Sequence, residues 1–188
     1  MNWYCRPVRG RLLILIGVVA LAGGACTGPS AVGTGSATTT TQRPLPAGPR
    51  PSAIAKQVCQ SEAHREIDSA LGEKGAVSTP TWVGHLYSCR YIYPTGSMVL
   101  SVKELSSWPE TDAYFGQLAA RMGKRRALQG LGQGGFQTTN GSVVVRKDWK
   151  VLTVEISGLP PLFGVPPTSA GDVAVTVGDV ILGCWAGD

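Results

Sequence analysis

Apolar and polar positions recur along this chain with two different periods, and the switches between them mark out its elements. Ala63, Ile67, Ala70 and Leu71 fall at i, i+4, i+7 and i+8, the single stripe of an amphipathic helix. Ser61 suits its start and Gly72 its stop, and residues 52–58 can add a turn or two before it. A loop containing Pro80 and Trp82 follows. Tyr87, Cys89, Tyr91 and Tyr93 then alternate with Ser88 and Arg90, which predicts a strand over 86–93. Pro94-Thr95-Gly96 is a turn, and Met98, Leu100 and Val102, alternating with Ser101 and Lys103, predict its hairpin partner over 97–105.

The helical period returns at Ser107-Trp108-Pro109-Glu110, with Phe115, Leu118, Ala119 and Met122 as the buried stripe and Gly123 as the stop. Lys124, Arg125 and Arg126 stand where cations complement the helix dipole; anionic headgroups are a second, less simple use for them. Strands are predicted over 136–139 and 142–148, joined by Asn140-Gly141, and over 150–157, where Leu152, Val154 and Ile156 alternate with Thr153 and Glu155. After a proline-rich loop over 158–167, Val173, Val177, Val180, Ile181 and Cys184 keep helical spacing. The order αββαβββα with tight turns implies antiparallel pairing. The expected architecture is α+β: a single domain over 52–188, with one roughly five-stranded antiparallel sheet and about three helices packed on one face.

The chain ahead of that domain has a different pattern. Arg6, Arg9 and Arg11 precede an apolar run from Leu12 to Ala22, then Gly23, Gly24, Ala25 and Cys26. That run is shorter than the ~20 helical residues needed to cross a bilayer, so a cleavable signal over 1–25 fits better than a transmembrane anchor. The arginines hold that end cytoplasmic. The segment resembles a bacterial lipoprotein signal, in which small residues precede an invariant cysteine that is diacylated and becomes the mature N-terminus. Gly24 and Ala25 match; Gly23 departs, since a leucine or similar residue is usual there and the nearest is Leu21. The resemblance implies lipidation at Cys26 and a place on the outer face of the cell membrane. Ordinary cleavage nearby would instead leave a free thiol and a secreted protein. Residues 26–51 are rich in Gly, Ser, Thr and Pro, with Thr38 to Thr41 in a run and Pro44, Pro46, Pro49 and Pro51 following. They read as the lipidated terminus and a disordered, partly extended tether, open to O-glycosylation.

Charge and cysteine content narrow the function. The chain carries a formal +5, but loss of three arginines with the signal leaves 14 basic residues against 12 acidic ones, about +2. That balance gives no case for nucleic acid. In an oxidising compartment Cys59, Cys89 and Cys184 should yield a disulfide. Cys59 with Cys89 is the favoured pair, pinning the first helix to the first strand; Cys184 with either is the alternative.

Cys89-Arg90-Tyr91, the stretch Gly130-Leu131-Gly132-Gln133-Gly134-Gly135-Phe136, Val145-Arg146-Lys147-Asp148 and Ile181-Leu182-Gly183-Cys184-Trp185 resemble those of small actinobacterial lipoproteins of unknown function. The resemblance covers most of 26–188. It implies a cell-envelope location and an α+β domain, and carries no activity with it.

Candidate chemistry is sparse. Gly130, Gly132 and Gly135 fit G-x-G-x-x-G, but a dinucleotide site needs that motif between a strand and a helix, and here it follows a helix and enters a strand. His64 and His85 are the only histidines; without HxxxH or CxxC spacing no metal site is expected, nor any other cofactor. Cys89 or Cys184 paired with a histidine as a nucleophile would have to work from a buried element. His64, Glu62, Glu66 and Asp68 read as a solvated helix face. The aromatics Tyr87, Tyr91, Tyr93, Trp108, Trp149 and Trp185 read first as core and rim; should one sheet face be uncovered, Tyr91, Trp149 and Trp185 are the candidates for contact with a ligand or partner. The first reading is a non-catalytic binding or interaction module for an envelope protein or wall component. A carrier of a lipid or other apolar molecule in a sheet–helix cavity comes second. A hydrolytic enzyme, which needs a clustered polar site, comes third.

Overall fold

The central event in the fold is the meeting of two hairpins distant in sequence. The structure, a computed structural model, describes residues 44–185. The expected signal over 1–25, Cys26 and the tether up to residue 43 lie outside those residues. The elements run α1 (Ala53–Gln57), α2 (Ser61–Leu71), β1 (Ala76–Val77), β2 (Thr81–Val83), β3 (Leu86–Tyr93), β4 (Gly96–Glu104), α3 (Trp108–Met122), β5 (Lys124–Leu128), β6 (Gly134–Thr138), β7 (Val143–Lys147), β8 (Lys150–Gly158), β9 (Leu162–Phe163), β10 (Thr168–Ser169) and α4 (Ala170–Trp185).

The class is α+β, as the pattern indicates, but the count differs. One antiparallel sheet of eight strands has the order β1-β3-β4-β8-β7-β6-β5, with β2 also on β3, and β9 and β10 form a separate ribbon. Among the described residues there are four helices, not three. β1 and β2 are too short to show a period. β5 reads Lys-Arg-Arg-Ala-Leu and is exposed over its first four residues, so it carries no alternation to detect. Lys124, Arg125 and Arg126 therefore belong to an edge strand and not to the last turn of α3.

The expectation that all helices pack on one face is also corrected. Cys89, Tyr91, Leu100, Val102, Val143, Val145, Leu152 and Val154 face one way and are buried beneath α1, α2 and α4, meeting Val58, Ile67, Val173, Val177 and Ile181. Phe136, Val144 and Val151 face the other way, and α3 covers them with Leu118, flanked by Phe115, Ala119 and Met122. Alternation shows that a strand has two faces; it does not show which helix takes which. Each large apolar side chain so buried contributes roughly 1.5–3 kcal/mol.

Local signals place the helices well. Ser107 Oγ accepts from Glu110 N at 3.3 Å while Glu110 Oε2 accepts from Ser106 N at 2.8 Å, a box-like start for α3. Gly72 and Gly123 end α2 and α3 at φ 64° and 70°. Lys147 Nζ donates to Trp185 O at 3.0 Å, a cation at the negative end of α4. Arg146 pairs with Asp112 and lies 5.5 Å over the Phe115 ring, tying α3 to β7.

Part of the stretch expected to belong to the tether, residues 44–51, contacts the domain. Ala47 N donates to Leu105 O, Trp82 Nε1 donates to Pro49 O, and Ser52 N donates to the buried Glu104 carboxylate at 3.3 Å. Residues 47–52 are thus held against the end of β4 and against β2.

The Cys59–Cys89 disulfide is formed, with Cα atoms 6.0 Å apart, and fixes the α1–α2 junction to β3. It closes a loop of sequence separation 30, so its loss should cost about 2–4 kcal/mol, chiefly through the freer unfolded chain. Urea unfolding of Cys59→Ala/Cys89→Ala against wild type measures this; a change below about 1 kcal/mol would mean that the packing of α2 alone holds this corner.

Candidate functional site

Tyr91, Trp149 and Trp185, read first as core and only second as ligand contacts, are in the core. Tyr91 is 0 % exposed, Trp185 3 % and Trp149 8 %. Tyr91 lies under α2, its hydroxyl donating to Val58 O at 2.7 Å and its ring edge-on to His64. Trp185 closes the end of α4. Trp149 occupies the two-residue β7–β8 turn at φ 58°, beside Asp148 at φ 49°, a region bulky residues rarely adopt. Gln133 holds this turn through both ends of its amide, at 3.0 Å and 2.9 Å from Asp148. The three rings share no exposed patch, because both sheet faces carry helices.

Two further expectations change in detail. Asp68 is not a solvated carboxylate: it accepts from Gly75 N at 3.3 Å and from Tyr93 OH at 3.4 Å, and His64 Nε2 lies 3.2 Å from it and 3.0 Å from Gly75 O. This cluster fastens the loop after α2. The glycine-rich segment joins β5 to β6. Its Gly132, at φ 56°, sits where a Cβ would come within 2.7 Å of Arg146 O, so it serves close backbone passage and not a pyrophosphate. Among the described residues no group of three or more His, Cys, Asp or Glu is placed to hold a metal ion.

A polar cleft of about 430 Å³ is lined on one side by Arg125 and Arg126, on another by the β6–β7 turn at Thr139, Asn140 and Gly141, and on a third by Ser169, Gly171 and Asp172. The turn is set by Asn140 Oδ1, which accepts from Ser142 N at 3.1 Å and from Thr138 Oγ1 at 2.5 Å. The start of α4 is set by Ser169, whose hydroxyl donates to Asp172 Oδ2 at 2.6 Å and accepts from Asp172 N at 3.1 Å. At the base lies Gln137, 5 % exposed. Its Nε2 donates to Gly141 O at 3.1 Å and to Gly171 O at 2.8 Å, and its Oε1 accepts from Arg126 Nε at 2.9 Å. One buried amide therefore joins all three walls. The sequence reading missed this cleft; its only trace there is Gln137 beside Phe136.

Comparison with known proteins finds no matching family model, curated protein or solved structure. The lipoprotein resemblance rests on the chain's own N-terminal segment and short motifs.

Ionisation of Tyr91 and Tyr93 is pushed well above the ordinary 10.0, first by burial and then by the Asp68 carboxylate. The folded state holds these protons more tightly than the unfolded chain, so the stabilisation is complete below pH 10 and is lost as pH rises beyond it. Alkaline titration should show cooperative unfolding above pH 10 with tyrosinate absorbance appearing in the same transition. Tyrosinate absorbance for these residues that rises before the fold is lost would show that they are accessible.

Proposed function

We propose that the protein is a lipid-anchored domain on the outer face of the cell membrane, a non-catalytic module that binds an envelope protein or wall component at the polar cleft. The leader over 1–25 and acylation at Cys26 supply the anchor, since two or more acyl chains hold a protein on a membrane where one barely does. The observation that carries the binding role is the polarity of the domain. The strap over 47–52 meets the sheet beside Leu105 and Glu104. The cleft lies beyond the other ends of the same strands, at the β6–β7 turn. β8 spans that distance, pairing Lys150 with Glu104 and Gly158 with Ser97, about 25–30 Å of strand. Attachment at one end and an open polar cleft at the other suit a domain that reaches outward.

A carrier needs room between sheet and helices. There Val143, Val145, Leu152 and Val154 meet Val173, Val177 and Ile181, each no more than 1 % exposed, which favours the binding module over the carrier.

Two measurements test the reading. Alkyne-tagged palmitate should label the wild type, which should sediment with membranes; Cys26→Ala should lose both properties. Labelling that survives Cys26→Ala overturns the anchor. Soluble wall glycopeptides titrated into the isotope-labelled mature protein should shift the amides of Asn140, Gly141 and Gly171 saturably. Shifts confined to another face overturn the placement of the site.

A further inference from the structure

We infer that the cleft recognises the phosphoryl or carboxylate group of its wall ligand, gripped by Arg125 and Arg126, so that a small soluble anion bearing either group binds there. This deepens the binding-module reading and rests on it. Along an unbroken strand successive side chains point to opposite faces, so neighbouring arginines would be separated by the sheet. In β5 the register slips: Lys124 pairs with Thr138 and Arg126 with Gln137, leaving Arg125 as an extra residue. A bulge of this kind re-aims side chains, and both arginines line the same cleft.

Arg126 is also aimed from below. Its Nε is held by Gln137 Oε1 at 2.9 Å, which fixes the plane of the guanidinium. Neither arginine is ion-paired with a carboxylate of the described residues. Asp172, the acidic residue of the lining, is engaged by the Ser169 hydroxyl at 2.6 Å. The walls are built to stay close: a Cβ on Gly171 would lie 2.9 Å from Gln137 Nε2, and one on Gly141 would lie 3.2 Å from Gly171 Cα.

A guanidinium offers a planar fork that matches phosphate and carboxylate oxygens in pairs. Two of them, with the side-chain amide of Asn140 beside them, give charge and directed hydrogen bonds. The opening of α4 onto the same space adds partial positive charge but is not the basis of the assignment. The volume of about 430 Å³ is that of a small-molecule site. With a net charge of only about +2 over the mature chain, the attraction is local to this cleft.

The test is calorimetric titration of the full mature protein in detergent with inorganic phosphate and, separately, with citrate. One saturable site is expected for at least one of them, weakening as salt rises. Affinity should fall at least about tenfold in Arg125→Ala/Arg126→Ala, and less in Arg126→Lys, which keeps the charge and loses the fork. Both arginines are exposed, but loss of Arg126 leaves the buried Gln137 Oε1 without its partner, so thermal unfolding checks that the fold survives, and Arg125→Ala, which keeps that bond, should by itself lower the affinity. No saturable binding of either anion up to about 10 mM, a range that covers even weak small-ligand sites, overturns the inference. Binding that is unchanged in the double variant also overturns it. Phosphatidylglycerol vesicles that bind through these arginines while both soluble anions fail would replace the soluble ligand with a headgroup and overturn the assignment. Wall glycopeptides that shift the cleft amides while both anions fail would overturn the anion and leave the binding-module reading standing.

Discussion

The pairing of β4 with β8 is the constraint on which the rest of the structure depends. It joins a hairpin formed by residues 86–104 to one formed by residues 143–158, with Leu100 opposite Val154 and Val102 opposite Leu152. All four side chains point to the face that α4 covers, and all are fully buried. Closing so long a loop has a conformational cost that only contiguous apolar burial can offset. That burial in turn explains α4. Val173, Val177 and Ile181 form its stripe onto the sheet, and Ala174, Leu182 and Trp185 are buried as well, so little of its circumference is left for solvent. A helix made largely of valine and glycine has weak intrinsic propensity; tertiary contact, and not local preference, keeps it helical. Once α4 is laid on β8 and β7, its first turn must fall against the β6–β7 turn, and the cleft is the space those two ends leave.

The longer elements were legible because each meets one condition: a period sustained over enough residues to be read. α2, α3, β3, β4 and β8 all do. The failures share a physical cause. β1 and β2 are shorter than one full alternation. β5 is an edge strand whose side chains are mostly solvated, so burial imposes no pattern on it. The assignment of helices to faces depends on which strand neighbours which, and the β4–β8 junction cannot be seen in either hairpin alone. The same gap left Tyr91 open as a contact candidate beside its core reading. Its alternation with Cys89 and Tyr93 correctly sets one face of β3, but nothing in β3 says that α2 will lie across it. Cys59 with Cys89 was readable because a helix start and a strand centre close in sequence are natural neighbours once they pack.

The arginines show how a feature can serve two ends. Exposed edge strands invite pairing with other chains, and charge together with a bulge blunts that tendency. Lys124, Arg125 and Arg126 on a bulged edge satisfy that need completely. If protection of the edge were all, however, nothing beneath the arginines would have to be polar. Gln137 is the counter-evidence. A buried amide is costly unless every donor and acceptor is matched, and a strand position facing α4 between β7 and the edge would ordinarily take a valine. Here the amide is matched by Gly141, Gly171 and Arg126 together. Two of those partners are glycines close enough that a side chain on either would press on its neighbour. An edge defended by charge does not require this arrangement; a guanidinium held in a fixed plane at the mouth of a cleft does.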